Sequence, residues 1–471
     1  MNLIIHQTQS LKGEIKAPPS KSYTHRAIII ASVNKHATVV NPSQCDDTTK
    51  TIEVWKKLGS KINIDRQHNQ LDIRGFNGKP NLNGNTEFDV GESGTLMRFA
   101  LPIISLAKGK FRVVGSGTLK TRPNREIVKA LQDWGIDVKG KTDNHILPII
   151  INAIGCLKGG EANIQDAQSS QFVSSLLIAS PLAQQDTTII VHTKLVSRPY
   201  VDITREVLKW AGVQVKVSHK NGRECFTIRK GQKFEPQTPF TVHGDYSGAA
   251  FLMAAAVLLK SDVTIADLWD DCQGDKAIID ILKRMGARIV REQNKVRITG
   301  PYELHGIDID CVDTPDLVPL LVVLGCFAKG ETNIRNIAHL KGKESNRIEQ
   351  PARQLRDLGA KITLTDDSIT VRHSELKSGI VNSKRDHRVA MALAIAALRI
   401  KGGLVIEGCE CISKSYPKFV SDMKTIGVQL EEKDNSGQRS KSMQPVRKVL
   451  STFRNHGTEG HRSRMSKAAV L

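Results

Sequence analysis

Aromatic residues make up only 4% of this 471-residue chain. Proteins that hold single-stranded nucleic acid stack its bases on such rings, so this chain offers poor stacking platforms. Paired cysteines are missing as well. The eight cysteines, at 45, 156, 225, 272, 311, 326, 409 and 411, include no Cys-x-x-Cys and no adjoining His cluster. This argues against a zinc site and against a secreted disulfide framework; buried free thiols are expected. Long apolar runs are absent. The longest, Gly248 to Leu259 and Leu317 to Ala328, are too short to span a bilayer. Met1 to Ile15 holds only Leu3-Ile4-Ile5, too little for a signal-peptide core. A cytosolic protein without a membrane partner is expected. Acidic residues are outnumbered, 48 against 68 Lys and Arg, for a formal net charge of +20. Such an excess suits nucleic acid or a site for small polyanions. Part of it is local: residues 433 to 471 hold nine Lys or Arg against two Asp or Glu.

The length calls for two large domains rather than one core. A helix–glycine–strand pattern recurs six times, pivoting on Gly59, Gly135, Gly212, Gly286, Gly359 and Gly427. Apolar residues at helical spacing precede each glycine, and alternating apolar residues follow, as in Ile62 and Ile64. Glycine adopts the left-handed conformation that closes a helix. Successive pivots lie 76, 77, 74, 73 and 68 residues apart. That exceeds solenoid periods and suits an internally duplicated unit of several strands and helices. The polar, proline-bearing segment Gly231 to Phe240 separates three copies from three. Paired with Ala17-Pro18-Pro19 it predicts a two-strand hinge between two lobes with a cleft between them. Residues 433–471 lack the periodicity and read as a disordered basic tail, with a short helix over Val446 to Phe453.

Chemistry-bearing residues gather at predicted helix starts. In Lys16-Ala-Pro-Pro-Ser-Lys-Ser-Tyr-Thr-His-Arg26, Ser20 stands at an N-cap position ahead of Ala27-Ile28-Ile29-Ile30. Lys21 sits at the helix mouth, where free N–H groups favour an anion, and Ser22 and Arg26 share a face. Gly91-Glu-Ser-Gly-Thr-Leu-Met-Arg98 is a glycine-rich turn running into an apolar helix; Arg122 precedes a proline and is extended. Ala167-Gln-Ser-Ser-Gln171 and Leu195-Val-Ser-Arg-Pro-Tyr200 repeat the theme. Lys343 and Arg347 stand at helical i, i+4 spacing with Glu344 between them, and Lys384-Arg-Asp-His-Arg388 runs into an apolar helix. Each stretch alone also fits a capped or solvated helix end. If the mouths face one cleft, they form a pocket for two anionic ligands, which arginine suits by its fork geometry.

Taken in order, Pro-Ser-Lys-Ser-x-x-x-Arg, Glu-Ser-Gly-Thr-x-x-Arg, Arg-Pro, Ser-Ser-Gln, Ser-x-Pro-Tyr, Lys-Glu-x-x-Arg and Asp-His-Arg closely resemble the 5-enolpyruvylshikimate-3-phosphate synthases, the 3-phosphoshikimate 1-carboxyvinyltransferases. The resemblance covers about Met1 to Glu432. It implies an α/β (α+β) fold of two similar lobes, each of three βαβαββ units in an inverse α/β barrel-like arrangement. Residues 1–16 and 239–432 would form one lobe and 17–238 the other, with hinges near 17–21 and 231–240. It implies a monomer that needs no metal or organic cofactor, joining shikimate 3-phosphate to phosphoenolpyruvate with release of phosphate on the route to chorismate and the aromatic amino acids. By matching position, Lys21, Ser22, Arg26, Ser169, Ser170, Gln171, Ser197, Asp316, His339 and Lys343 would hold shikimate 3-phosphate. Lys21, Gly94, Arg122, Gln171, Arg347, Arg388 and Lys414 would surround phosphoenolpyruvate. Asp316, Glu344 and Lys21 would be catalytic. The chain departs from the common pattern at Glu92 and His339, where many members carry Asn, and at Ser345-Asn346, in place of a common Thr-Asp.

Two other readings compete. The sister transferase acting on UDP-N-acetylglucosamine typically has Lys-Asn where this chain has Lys21-Ser22, and carries a loop cysteine; no cysteine lies between Cys45 and Cys156 here. A basic nucleic-acid-binding protein would rely on the tail, and nucleic acid is not expected as a partner.

Overall fold

The six pivot glycines all turn the chain in the left-handed region, with φ between 82° and 111°. In each case the residue after the glycine donates its N–H to a carbonyl five positions back, as Ser60 does to Trp55 at 3.1 Å and Val428 to Met423 at 3.0 Å. This is the hydrogen bond that closes a helix whose C′ residue is left-handed, and a β-carbon there would be strained. The helices so ended include Asp46–Lys57, Arg125–Asp133 and Pro199–Trp210, each followed by a strand.

The computed structural model describes residues 1–82 and 84–433; the expected tail, apart from Lys433, lies outside the described residues. Lys433 itself pairs with Asn2 as the end of the strand Leu430–Lys433. Among the described residues there are six four-stranded sheets. Within a sheet the first two strands run parallel around a buried crossover helix, and the other two add antiparallel. This is the βαβαββ unit, six times over. Three units are completed by distant chain. Asn2–Ile5 supplies the strand between Leu404–Glu407 and Leu430–Lys433, and Ser10–Lys16 pairs in parallel with Lys260–Ala266. Conversely, Phe240–Thr241 pairs in parallel with His36–Val40.

The buried hydrophobic side chains form two clusters. One takes Leu3 to Ala17 and Tyr246 to Leu430; the other runs from Tyr23 to Val242. The chain passes between them at two adjacent segments held together by backbone bonds, Asp245 N–H to Pro18 at 2.7 Å and Ser20 N–H to His243 at 2.8 Å. At the centre of the units stand six helices: Lys21–Val33, Gly94–Ile104, Ser170–Ala179, Tyr246–Leu258, Val318–Phe327 and His387–Ala397. They are apolar nearly all round, and every residue of Tyr246–Leu258 is buried. A helix of that kind cannot offer its flank to solvent, so its polar residues gather near its start or are paired with protein, as Ser174 is with Thr204. No helix among the described residues is long and apolar enough to cross a membrane.

Candidate active site

Five of those six helix mouths meet at one cavity of about 280 Å³ between the two clusters. Lys21, Ser22, Thr95, Ser170, Gln171, Asp316 and His387 reach it from the starts of five helices. The positive dipole ends of five helices therefore converge where an anion would lie, with Ser93, Ser169, Asp245 and Asp386 each capping one N–H group there. The sixth mouth has a different task. Asp245, the cap of the Tyr246 helix, accepts the Gly248 N–H at 2.9 Å and the Lys21 N–H at 3.2 Å. One carboxylate thus caps two helices from different clusters. Ser20 occupies the expected N-cap position but makes no capping bond with its hydroxyl.

Most residues singled out from the sequence line this one cavity: Lys21, Ser22, Arg26, Arg122, Ser169, Ser170, Gln171, Ser197, Asp316, His339, Lys343, Glu344 and Arg347. Arg122 is extended, as its proline neighbour requires. The Lys343–Arg347 stretch is not helical, contrary to its spacing. It is a loop between the short turn Ala338–Gly342 and the helix Glu349–Asp357, so Lys343, Glu344 and Arg347 are aimed by tertiary contacts. Gly94 borders the site through what it lacks: a β-carbon there would stand 3.1 Å from Arg122 Nη1. Arg388 stands behind Asp316. Lys414 lines an adjoining pocket, where its ammonium lies 2.5 Å from Glu92 Oε2. Arg26 is engaged by protein, donating to Thr204, to the Ser22 carbonyl and to the Tyr200 carbonyl.

Side chains outside the expected set, Arg98, Thr95, Tyr200 and His387 among them, also line the cavity. Arg98 donates to Gln171 Oε1 at 2.7 Å and to Ser169 Oγ at 3.2 Å, and so orients the Gln171 amide. Gln171 in turn donates to Thr95 at 2.9 Å. Tyr200 and His387 are also part of the wall. Arg98 and His387 belonged to the sequence stretches already marked; their position in helix-mouth motifs was the available signal.

The electrostatics are those of a few carboxylates among many cations. Asp316 lies 2.5 Å from Arg347 Nη1 and 3.1 Å from Arg388 Nη2. Glu344 lies 2.8 Å from Arg347 Nη2 and 3.5 Å from Arg122 Nη2. Burial pushes both carboxyls up, but Arg388 and Arg347 outweigh it at Asp316, and Arg347 and Arg122 at Glu344, so both are held well below the usual carboxylate range. Lys343 has the opposite balance: burial brings its ammonium down to about 8 despite Asp316 and Glu344. Burial, helped by Lys343, brings His339 down to about 3, so its ring is neutral at physiological pH. His339 Nε2 and Ser197 Oγ are buried without a hydrogen-bond partner among the described residues. Among the described residues no cluster of His, Cys, Asp or Glu is arranged to hold a metal ion.

This arrangement is suited to polyanions and sets two carboxylates among the cations. Comparisons with known proteins agree with it. Residues 5–423 match the family described as EPSP synthase (3-phosphoshikimate 1-carboxyvinyltransferase). A 3-phosphoshikimate 1-carboxyvinyltransferase of Methanococcus aeolicus is 38% identical over 91% of this chain and 99% of its own length. One from Methanocaldococcus jannaschii is 39% identical over 92% and 99%. The EPSP synthase of Acinetobacter baumannii superposes with a TM-score of 0.75 at 25% identity, covering 92% of this chain and all of that one. The enolpyruvyl transferase NikO of Streptomyces tendae, at 17% identity and a TM-score of 0.72, shares the fold. Matched from end to end of its two clusters by family, by relatives and by fold, the chain belongs to the EPSP synthase family.

Proposed function

We propose that the chain transfers the enolpyruvyl group of phosphoenolpyruvate to the 5-hydroxyl of shikimate 3-phosphate and releases phosphate. The observation that carries the reading is the single cavity in which Lys21, Lys343, Arg122 and Arg347 meet Asp316 and Glu344 in a chain of this family. Two anionic substrates need such a density of cations, and the reaction needs one group to take a proton and one to give it.

The 5-hydroxyl oxygen attacks C2 of phosphoenolpyruvate, losing its proton to Asp316. Once the substrate has drawn Arg347 and Arg122 away, Glu344 takes up a proton from solvent and gives it to C3 as the electron pair of the C2–C3 double bond reaches out. The product of this addition is a tetrahedral adduct. Loss of a C3 proton back to the Glu344 carboxylate then restores the double bond as the C2–O bond to phosphate breaks. Arg122, Arg347 and Arg388, with Lys21, Gly94 and Gln171, belong to the phosphoenolpyruvate side; they stabilise the departing phosphate. Lys21, Ser22, Ser169, Ser170, Ser197, His339 and Lys343 belong to the shikimate-phosphate side, with Arg26 bracing Ser22 from behind. Lys414 joins the phosphoenolpyruvate side only after it leaves Glu92.

The mobile units in this proposal are residues 1–16 with 239–432 and residues 17–238, closing to exclude water and align the reactants. A monomer is part of the same reading, since one chain supplies both walls of the cavity. So is a cytoplasmic location, which suits eight unpaired cysteines. Phosphate release from phosphoenolpyruvate tests the whole: it should require shikimate 3-phosphate, and release without it, or none with it, refutes the assignment.

A further inference from the structure

Asp386 stands behind the cavity wall rather than on it. Its carboxylate is fully buried and holds Arg347 from the far side, with Nε to Oδ2 at 2.8 Å and Nη2 to Oδ1 at 3.2 Å. The same carboxylate accepts the Arg388 backbone N–H at 2.9 Å, as the cap of the His387 helix, and the Ser345 hydroxyl at 3.0 Å. An ionised carboxylate offers about four acceptor positions, so Asp386 is saturated where it stands. Arg347 is itself 1% exposed, and its remaining donors face the cavity, Nη1 towards Asp316 and Nη2 towards Glu344. A guanidinium is a rigid plane, so fixing one edge fixes where the other donors point.

Arg347 is therefore shared among three carboxylates. Burial opposes its charge, and Asp386 contributes most to offsetting that cost. An anion that enters the cavity must take N–H groups that Asp316 and Glu344 now hold. Were the far edge free, the guanidinium would follow whichever anion pulled hardest, and the site would lose its geometry during the exchange.

We propose that Asp386 is a positioning residue: it holds Arg347 in place while the cavity-facing N–H groups pass from Asp316 and Glu344 to the anionic groups of phosphoenolpyruvate. The proposal rests on the functional reading above. It makes the two carboxylates free to exchange protons only once that substrate has taken their arginine.

Steady-state kinetics of Asp386→Asn, which keeps the shape and removes the charge, test this. KM for phosphoenolpyruvate should rise about tenfold or more, while KM for shikimate 3-phosphate stays within about twofold. Arg347→Lys should give the same pattern, and the double variant should be no worse than the poorer single one. Equal rises in both KM values, or additive losses, overturn the proposal. If Asp386→Asn does not fold, Ser345→Ala, which removes one hydrogen bond from Asp386, is read instead. A rise of about two- to fivefold in KM for phosphoenolpyruvate alone supports the proposal, and no change overturns it. The unaltered protein is assayed alongside with both substrates. If it does not turn over, the functional reading has failed and this proposal with it; turnover with an unselective Asp386→Asn refutes the positioning role alone.

Discussion

Asp316 and Glu344 share one guanidinium, with Arg347 Nη1 2.5 Å from Asp316 and Nη2 2.8 Å from Glu344. Each also has an arginine of its own, Arg388 for Asp316 and Arg122 for Glu344. Carboxylates so held are weak bases. A substrate anion that draws those arginines away raises the proton affinity of both, which places acid and base chemistry after binding.

Removing either carboxylate should therefore affect turnover and affinity in different ways. Asp316→Asn is expected to lower kcat about 10²- to 10⁴-fold, and KM for phosphoenolpyruvate should stay level or fall, because a competitor for Arg347 and Arg388 is gone. Glu344→Gln should lower kcat by a similar factor, and hydrogen exchange at C3 should fall in step with it. Near-normal kcat in either variant would make that carboxylate a bystander.

Alkaline pH should weaken shikimate 3-phosphate before it weakens the protein. The buried Lys343 ammonium titrates near 8, and the phosphate needs its charged form. As pH rises through that value the folded protein loses this proton, so kcat/KM for shikimate 3-phosphate should fall about tenfold per unit above it. Lys343→Arg should move the limb upward, since a guanidinium stays charged. The effect on stability has the opposite sign. The unfolded chain keeps the lysine proton to a higher pH, so between the two values this residue makes folding more favourable as pH rises. A flat profile from pH 7 to 9.5 would remove Lys343 from the phosphate site.

His339 is neutral under working conditions and should act as a hydrogen-bonding group rather than a cation. His339→Asn is expected to keep KM for shikimate 3-phosphate within about threefold, and His339→Leu to raise it about tenfold. A large loss on His339→Asn would show that the ring itself is required.

Glu92 joins the two halves of the cleft through Lys414 at 2.5 Å and Arg385 at 3.5 Å. Glu92→Gln breaks this tie, which at a partly exposed pair amounts to about 1 kcal/mol, or roughly fivefold in the ratio of open to closed forms. Small-angle scattering of the variant without substrates should show a larger radius, restored by shikimate 3-phosphate. An unchanged radius would mean that the closed form does not depend on this pair.

The repeat was legible because its cause is local. A helix that ends in a left-handed turn needs glycine, and Gly59, Gly135, Gly212, Gly286, Gly359 and Gly427 each fill that position. The polar residues beside buried apolar helices were legible for a similar reason: a helix with no solvent face gathers its ligand-facing polar groups at its start, where Ser170, Gln171, His387 and Arg388 stand. What the chain order alone could not show is how distant segments meet. The helical spacing of Lys343 and Arg347 misled, since the stretch forms a loop in which Asp386 and Asp316, far along the chain, aim the Arg347 guanidinium. That Asn2–Ile5 completes a sheet with strands at Leu404–Glu407 and Leu430–Lys433, and that Asp245 caps the Lys21 helix, depends on pairings across more than two hundred residues. The sequence by itself determined the repeated unit, the helix mouths and the kinds of charge they carry, because these follow from backbone conformation and periodicity. Only the tertiary structure decided which arginine faces which carboxylate, because that is set by burial and by the competition of Asp386, Asp316 and Glu344 for one guanidinium.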